Sequence, residues 1–144
     1  MALRRMISVN LVDSDAFLDL PASAQNLYFH LNMRADDDGF VNKPRSVMRV
    51  VGASEEDLKL LTDKGYLLSF EDGVVTIRHW RVHNLLRKDR YTPTQYQELF
   101  SRLTLMPNGT YSDHPTASQE LFSYPATKRQ PDGNPGKVSI GQVR

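Results

Sequence analysis

The chain has no cysteine, a single tryptophan and a net charge of only +1 over 144 residues. Without cysteine it can form neither a disulfide nor a cysteine-ligated metal site. No apolar run approaches the roughly 20 residues that cross a bilayer. No run after Arg4 and Arg5 is long enough for a signal peptide. We therefore expect no membrane contact and a cytoplasmic location.

Although the net charge is small, the charges are segregated along the chain. Residues 54–73 carry a net charge of −4, and residues 78–90 carry a net charge of +4. Residues 43–49 add three cations and no acid. Segregation of this kind creates local fields that can select partners. The cations of the two basic segments are Lys43, Arg45, Arg49, Arg78, Arg81, Arg87, Lys88 and Arg90.

The composition changes near residue 107. Beyond it, prolines and glycines are frequent and the aliphatic residues follow no sustained period. That composition is typical of a flexible chain. The sequence therefore predicts one folded domain over residues 1–106 and a flexible, disordered tail over residues 107–144.

Three helices are predicted in the first half of the domain. The first opens at Pro21, and its apolar positions at helical spacing are Ala24, Leu27, Tyr28, Leu31 and Ala35. The second starts at Pro44, which suits a first helical turn, and ends at Gly52. The third follows Ser54, a favourable N-cap, and ends at Gly65. The apolar positions of the second and third helices are Val47, Val50, Val51, Leu58, Leu60 and Leu61.

Short β-prone runs surround these helices. A turn at residues 36–39 leads into a short strand at residues 40–41. Residues 66–70 and 74–80 are β-prone and are joined by a loop that contains Asp-Gly, a strong hairpin signal. Phe17 and Leu18 belong to a short leading helix, and a last helix is predicted to start at Thr92 and Pro93 and run to Leu103. The order of elements predicts an α+β, mainly helical fold: a winged helix-turn-helix with a β-hairpin wing and a flanking C-terminal helix.

Two stretches of the sequence resemble a known family. The runs VDSDAFLDLPASAQNLYFHLNMRADDDGFV (residues 12–41) and VGASEEDLKLLTDKGYLLSFEDGVVTIRHWRVHNLLRKDRYTPT (residues 51–94) are similar to the N-terminal domain of bacteriophage replisome organisers, which are replication initiation proteins. The resemblance covers about residues 1–105 and is most distinctive over residues 79–90. It implies a winged helix that binds origin DNA, in the host cytoplasm if a phage encodes the chain. The family's separate C-terminal region is thought to recruit the host helicase loader, so host replication proteins are further expected partners.

DNA binding requires cations that meet phosphates and an element that fits a groove. In a strand that runs to Trp80, Arg78 projects on the face opposite Ile77. The residues expected to contact DNA are Lys43, Arg45, Arg49, Arg78, His79, Arg81, His83, Arg87, Lys88 and Arg90. The alternative is that these are ordinary solvated charges, or ion-pair partners of the acidic third helix.

The third helix argues against the simplest binding mechanism. A recognition helix places its first residues at base edges, yet here they are Glu55, Glu56 and Asp57. Phosphates repel carboxylates, and acids at a helix N-terminus are typical of capping. We therefore expect the wing and the basic segment after it to carry most of the DNA binding.

Motifs for catalysis and metal binding are missing. The sequence has no Gly-rich phosphate loop with a lysine and no Gly-x-Ser-x-Gly elbow. His79 and His83 are four residues apart but lack a third ligand, and residues 36–39 lack the alternating spacing of a calcium loop. We expect no enzymatic activity, no cofactor and no metal.

Three functions fit this pattern. The first is an initiator that binds origin DNA, and the second is a transcriptional regulator that binds a palindromic operator as a dimer. The third is a protein-interaction adaptor without nucleic-acid binding, which the acidic third helix favours. The expected partners are double-stranded DNA, a second copy of the chain, and single-stranded DNA stacked on Trp80 and Tyr91, with a core position as the alternative for Trp80. The helix that ends at Leu103 has one apolar face, which serves either self-association or the core.

Overall fold

The computed structural model describes residues 4–113, which form an α+β fold with a small antiparallel sheet. Its helices are α1 (Val9–Val12), α2 (Asp15–Leu18), α3 (Ala22–Arg34), α4 (Pro44–Val51), α5 (Glu55–Asp63), α6 (Trp80–His83) and α7 (Gln97–Ser101), with a 3-10 helix at Lys88–Arg90. Its strands are β1 (Phe40–Val41), β2 (Leu67–Ser69), β3 (Val75–Ile77), β4 (Thr104–Leu105) and β5 (Tyr111–Ser112). The first three strands form one sheet in the order β1-β3-β2, and β4 pairs with β5.

The long helix α3 lies at the centre of the fold, as its apolar spacing predicts. All of its predicted core positions are buried: Ala24, Leu27, Tyr28, Leu31 and Ala35. This face packs against both α4 and α5. The predicted leading helix is α2, in which Phe17 is buried and lies edge-on to Tyr28 with ring centroids 5.4 Å apart. Leu18, by contrast, is exposed.

The helices α4 and α5 begin and end where the sequence predicts. Gly52 ends α4 in the left-handed conformation with φ at 73°. Ser54 caps α5: its hydroxyl accepts the Asp57 N–H, and the Asp57 carboxylate accepts the Ser54 N–H. This reciprocal pair is a capping box. Val50 was predicted among the apolar positions of α4, but it is 66% exposed, and Met48 is buried instead.

The strands β2 and β3 form the predicted hairpin, and β1 adds to the other edge of β3. The strand β3 ends at Ile77, however, so the prediction of a single strand to Trp80 is wrong. The chain turns at Arg78 and His79, and Trp80 begins α6 with a fully buried side chain. The core position considered for Trp80 is therefore confirmed.

The turn at residues 36–39, predicted only as a helix stop, is a buried polar hub. Asp36 Oδ1 accepts the backbone N–H groups of Asp38 and Phe40. Arg5 forms an ion pair with Asp37 at 3.0 Å, and both side chains are almost fully buried. The Trp80 indole N–H donates to the Asp37 carbonyl oxygen at 2.9 Å. The turn thereby ties the N-terminal segment and α6 to the end of α3.

Asp38 binds the C-terminal part of the fold to the same turn. Its carboxylate accepts hydrogen bonds from the Tyr91 hydroxyl at 2.7 Å and the Thr94 N–H at 2.8 Å. Arg81 donates to it at 3.2 Å. The Tyr111 hydroxyl donates to the Asp38 carbonyl oxygen at 2.8 Å. Three distant parts of the chain, around Arg81, Tyr91 and Tyr111, thus meet at one fully buried residue.

Gly39 is expected to tolerate no side chain, since its φ is +92° and an added Cβ would lie 2.7 Å from Trp80 Cγ. Gly39→Ala combines a left-handed backbone penalty with overpacking, so we expect it to lower the free energy of unfolding by about 2–4 kcal/mol. Gly73→Ala is the matched control, because φ is +87° there but a Cβ would meet nothing within 4 Å. Urea unfolding followed by Trp80 fluorescence measures both. Equal losses in the two variants would contradict the proposed close packing of Gly39 on the indole.

The last predicted helix is shorter than expected. Thr92 and Pro93 were predicted to open it, but α7 begins only at Gln97. The N–H groups of Thr92 and Thr94 donate to Asp37 and Asp38, so this backbone is bound to the aspartates instead of forming a first helical turn. The face predicted for this helix packs against the core: Leu99 is buried, and Phe100 and Leu103 are partly buried.

Regular structure continues past the predicted boundary at residue 106. The strands β4 and β5 form a second hairpin that spans this point. Tyr111 in β5 is buried, and its backbone N–H donates to the Arg78 carbonyl oxygen at 2.8 Å. The packed part of the chain therefore extends beyond residue 106. The rest of the predicted tail, from residue 114 onward, lies outside the described residues.

None of the helices between residues 4 and 113 combines the length and the apolar character needed to cross a membrane.

Candidate nucleic-acid interface

The structure divides the ten residues predicted to contact DNA into two groups. One group is exposed and consists of Lys43, Arg45, Arg49, Arg87, Lys88 and Arg90. The other group is partly or fully buried and consists of Arg78, His79, Arg81 and His83. Each member of the second group except His79 has hydrogen-bond partners inside the fold, as described next.

Two of the buried group are arginines that stabilise the fold. The Arg81 side chain is only 26% exposed and pairs with the buried Asp38 carboxylate. Arg78 is half-buried, and its guanidinium donates to the Gly65 carbonyl oxygen at 3.4 Å. That carbonyl lies just after α5, where a cation interacts favourably with the helix dipole. Both guanidinium groups therefore have structural partners within the fold.

His83 lies in the core beside α3, and the partly buried His79 lies next to it, with ring centroids 6.5 Å apart. His83 is buried: its Nδ1 accepts the Ser8 N–H at 2.9 Å, so its Nε2 carries the proton and donates to the Tyr28 hydroxyl at 2.6 Å. Burial and the neighbouring His79 lower the pKa of His83 to about 3. Burial and the charge of Arg78 lower the pKa of His79 to about 4. Both imidazoles are thus held neutral, which gives them little attraction for phosphate near neutral pH.

The exposed cations of α4 lie at its N-terminus and on its outer face. Lys43 precedes the helix, and Arg45 and Arg49 follow one turn apart. Arg45 reaches across to the start of α5, where its guanidinium donates twice to Glu55, at 2.8 and 3.0 Å. Among residues 4–113, neither Lys43 nor Arg49 has an ion-pair partner.

The second exposed group lies on the 3-10 helix and the residue before it. Arg87 donates twice to Asp89, with both distances 3.2 Å. Lys88 and Arg90 point into solvent, and neither pairs with an acid in the described part of the chain. This short segment carries three cations and one carboxylate, all of them exposed.

The two exposed groups lie at opposite ends of β1. The chain after the 3-10 helix is anchored to Asp38 through Tyr91, just before β1. It then follows β1 to Tyr96, whose ring stacks on Phe40 and whose hydroxyl donates to Asn42, just before α4. The segment that links the two groups is therefore held against the residues on either side of β1.

The tip of the β2–β3 hairpin carries no cation. Its turn consists of Glu71, Asp72 and Gly73, all exposed. Arg102, after α7, pairs with Glu71 at 2.9 Å and also with Glu98. At the base of the hairpin, Arg78 is half-buried and donates to the Gly65 carbonyl oxygen. Within the described residues, the hairpin itself therefore offers phosphates no free positive charge at its tip.

Of the three acids at the start of α5, only Asp57 caps the helix through its side chain. Asp57 is buried and, besides its capping box, accepts the Ser23 hydroxyl at 2.9 Å. Glu55 pairs with Arg45, and farther along the helix Lys59 pairs with Asp63 at 2.7 Å. Glu56 is exposed. The outer face of α5 therefore remains acidic on balance.

Of the two aromatic residues predicted to stack on bases, Trp80 is inaccessible because its ring is fully buried. Arg5 lies over it, with the guanidinium carbon 5.1 Å from the ring centre. Tyr91 is half-buried, and its hydroxyl is bound to Asp38. Burial and the Asp38 carboxylate raise the pKa of Tyr91 to about 12. The structural role of Arg5 was missed because nothing in its local sequence connects it with a turn thirty residues away.

Between residues 4 and 113, no three histidine or acidic side chains are arranged to hold a metal ion. The three comparisons with known proteins return nothing: no family model, no curated protein and no solved structure matches the chain.

Proposed function

We propose that the chain is a DNA-binding protein built on a winged helix-turn-helix. Its elements follow the order α3, β1, α4, α5, β2, β3, and β1 lies beside the last strand of the hairpin. A three-residue connection joins α4 to α5, and both helices pack on α3. A helix-turn-helix beside a small hairpin is the arrangement with which many proteins bind a duplex.

The observation that carries the proposal is the distribution of exposed cations on this frame. Of the residues predicted to contact DNA, six arginines and lysines remain exposed, and they lie on two surfaces, which we name by their positions. The α4 surface is Lys43, Arg45 and Arg49, and the 87–90 surface is Arg87, Lys88 and Arg90. Phosphate contacts supply most of the affinity of a protein for DNA and need no recognition helix. We assign the larger share of binding to the 87–90 surface, and only a minor share to the acidic face of α5.

Within this class we propose initiation of replication, on the resemblance of residues 12–41 and 51–94 to phage replisome organisers. A transcriptional regulator on the same frame is the neighbouring possibility. Footprinting on DNA flanking the gene separates them: an initiator is expected to protect repeated direct sites, and a regulator a single inverted repeat. The acidic outer face of α5 favours a third function, an adaptor that binds a basic protein surface and no DNA.

Fluorescence anisotropy with random-sequence duplex DNA tests DNA binding directly. We expect the full chain to bind with an affinity that falls steeply with salt. The variant Arg87→Ala/Lys88→Ala/Arg90→Ala is expected to bind on the order of tenfold to a hundredfold more weakly at low salt. Its salt slope should be smaller by about two, since Lys88 and Arg90 are free of ion pairs and each phosphate contact contributes about 0.9.

The matched control removes the same charge elsewhere, by Arg34→Ala/Lys64→Ala/Arg102→Ala. These three cations are exposed and lie outside both proposed surfaces. The control should keep the salt slope of the unmodified chain. If the control weakens binding as much as the test variant, the effect is one of net charge, and the assignment to the 87–90 surface is wrong. If the unmodified chain binds neither duplex nor single strand at low salt, the adaptor function replaces the proposal.

A further inference from the structure

One arginine on each proposed surface is held by a carboxylate in the same way. Arg45 presents Nε and Nη2 to the two oxygens of Glu55, and Arg87 presents Nε and Nη2 to the two oxygens of Asp89. Each arrangement is a bidentate ion pair with two hydrogen bonds. The same two N–H groups of an arginine bind two oxygens of a phosphate. Each carboxylate therefore occupies the position that a DNA phosphate would take.

These two pairs contribute little to the stability of the fold. Their side chains are between 61 and 72% exposed, and exposed pairs stabilise proteins by about 0–1 kcal/mol. The buried pair of Arg5 and Asp37 differs in this respect, because both of its side chains are at most 4% exposed. The guanidinium groups of Arg45 and Arg87 are exposed and can exchange one anionic partner for another in water. The guanidinium group of Arg5 cannot do so unless the core opens.

We infer that Glu55 and Asp89 are internal phosphate surrogates, which hold Arg45 and Arg87 in binding geometry and compete with DNA for them. The inference rests on the proposed DNA-binding function and describes its regulation. Lys43, Arg49, Lys88 and Arg90 make the first, freely available contacts. A duplex that also reaches Arg45 and Arg87 must displace a carboxylate from each. Weakly placed DNA is thereby disfavoured relative to DNA that fits both surfaces.

This inference explains why a glutamate stands at the start of α5. Capping needs only Ser54 and Asp57, which already form the reciprocal pair. Glu55 projects outward from the first turn to Arg45 on the neighbouring helix. Its carboxylate is therefore aimed at an interface cation, although a residue at this position of a helix-turn-helix would ordinarily face DNA.

Neutralising the surrogates tests the inference. We expect Glu55→Gln and Asp89→Asn each to bind random duplex DNA roughly three- to tenfold more tightly at low salt, with a salt slope steeper by about 0.9, because one more phosphate contact forms. Glu98→Gln is the matched control: it removes the same charge from an exposed carboxylate that also pairs with an arginine, Arg102, away from both surfaces. It should change neither the affinity nor the slope appreciably.

A double-mutant cycle separates displacement from a general change in field. In an Arg45→Ala background, Glu55→Gln should no longer steepen the salt slope, because there is no Arg45 guanidinium for the substitution to free. If both surrogate variants behave like Glu98→Gln, or if Glu55→Gln steepens the slope equally without Arg45, the inference is overturned while DNA binding stands. If no form of the chain binds DNA in a salt-dependent manner, the proposed function itself fails, and the inference with it.

Discussion

Replacing Asp38 with alanine is expected to lower the free energy of unfolding by about 3–5 kcal/mol. The carboxylate is fully buried and accepts from Tyr91, Thr94 and Arg81. Alanine would remove the carboxylate that accepts all of these hydrogen bonds. The Arg81 guanidinium would lose its counter-ion, and the buried Thr94 N–H and the half-buried Tyr91 hydroxyl would lose their acceptor, which adds to the cost. Since small domains are stable by only about 5–15 kcal/mol, the variant should be partly unfolded at moderate temperature.

Urea unfolding followed by tryptophan fluorescence measures this loss directly. Trp80 is the only tryptophan of the chain, and its indole N–H donates to the carbonyl oxygen of Asp37, the residue next to the substitution. Asp63→Ala is the matched control, because Asp63 is exposed and has a single pairing with Lys59 on the surface of α5. We expect the control to lose less than about 1 kcal/mol. Similar losses in both variants would mean that the hub at residues 36–39 contributes nothing beyond ordinary surface pairs.

Much of the fold could be predicted because its signals are local. The start of α5 depends on Ser54 and Asp57, three residues apart, and the end of α4 depends on Gly52 alone. The spacing of apolar residues in α3 likewise lies within one helix. Such features need no knowledge of distant parts of the chain. For the same reason the short hairpin could be placed from its Asp-Gly turn.

The hub at residues 36–39 could not be predicted in this way. Three consecutive aspartates before a glycine are typical of a solvated turn, and the turn itself was placed correctly. What buries them are partners between about 30 and 75 positions away, including Arg5, Tyr91 and Tyr111. The same long-range bonds extend the backbone of residues 92–94 and shorten α7. They also hold the second hairpin, which is why residue 106 does not end the packed part.

The candidate interface illustrates a second limit of sequence reasoning. Residues 78–90 form one basic run in sequence, and a strand through Trp80 would have projected Arg78 to solvent. Because β3 ends at Ile77 and α6 follows, the run is divided instead: its first half faces the core and its second half faces solvent. The net charge of residues 78–90 does not reveal which of these cations face the core and which face solvent. The exposed part that remains is the 87–90 surface, to which we assign the larger share of the proposed DNA binding.

Acidification from pH 6 to pH 4 is expected to cost the folded state about 4 kcal/mol through two histidines alone. His79 and His83 have pKa values lowered to about 4 and about 3 in the folded chain, against about 6.5 in an unfolded chain. As the pH falls below 6.5, the two histidines bind protons in the unfolded chain but stay neutral in the folded chain. The stability is therefore present in full above pH 6.5 and is lost toward pH 3, at up to about 1.4 kcal/mol per pH unit for each histidine.

The geometry explains why neither imidazole accepts a proton readily. A second proton on His83 would have to enter at Nδ1, which accepts the Ser8 N–H, so protonation would break the bond that holds the N-terminal segment. His79 Nδ1 is buried and, among residues 4–113, has no hydrogen-bond partner to stabilise a charge. The two ring centroids are 6.5 Å apart, so the two positive charges would also repel each other.

Urea unfolding at several pH values between 4 and 6.5 measures the slope of stability against pH. Each of His79→Gln and His83→Gln should remove about half of the slope contributed by the pair, whatever its effect on stability at pH 7. Titration of the histidine ring resonances by NMR in the unmodified chain provides a second measurement that needs no variant. A ring pKa near 6.5 for either residue would contradict the prediction, because an imidazole that charges equally in both states cannot make stability depend on pH. Such a value would mean that water readily reaches the His83 ring at its contact with Tyr28.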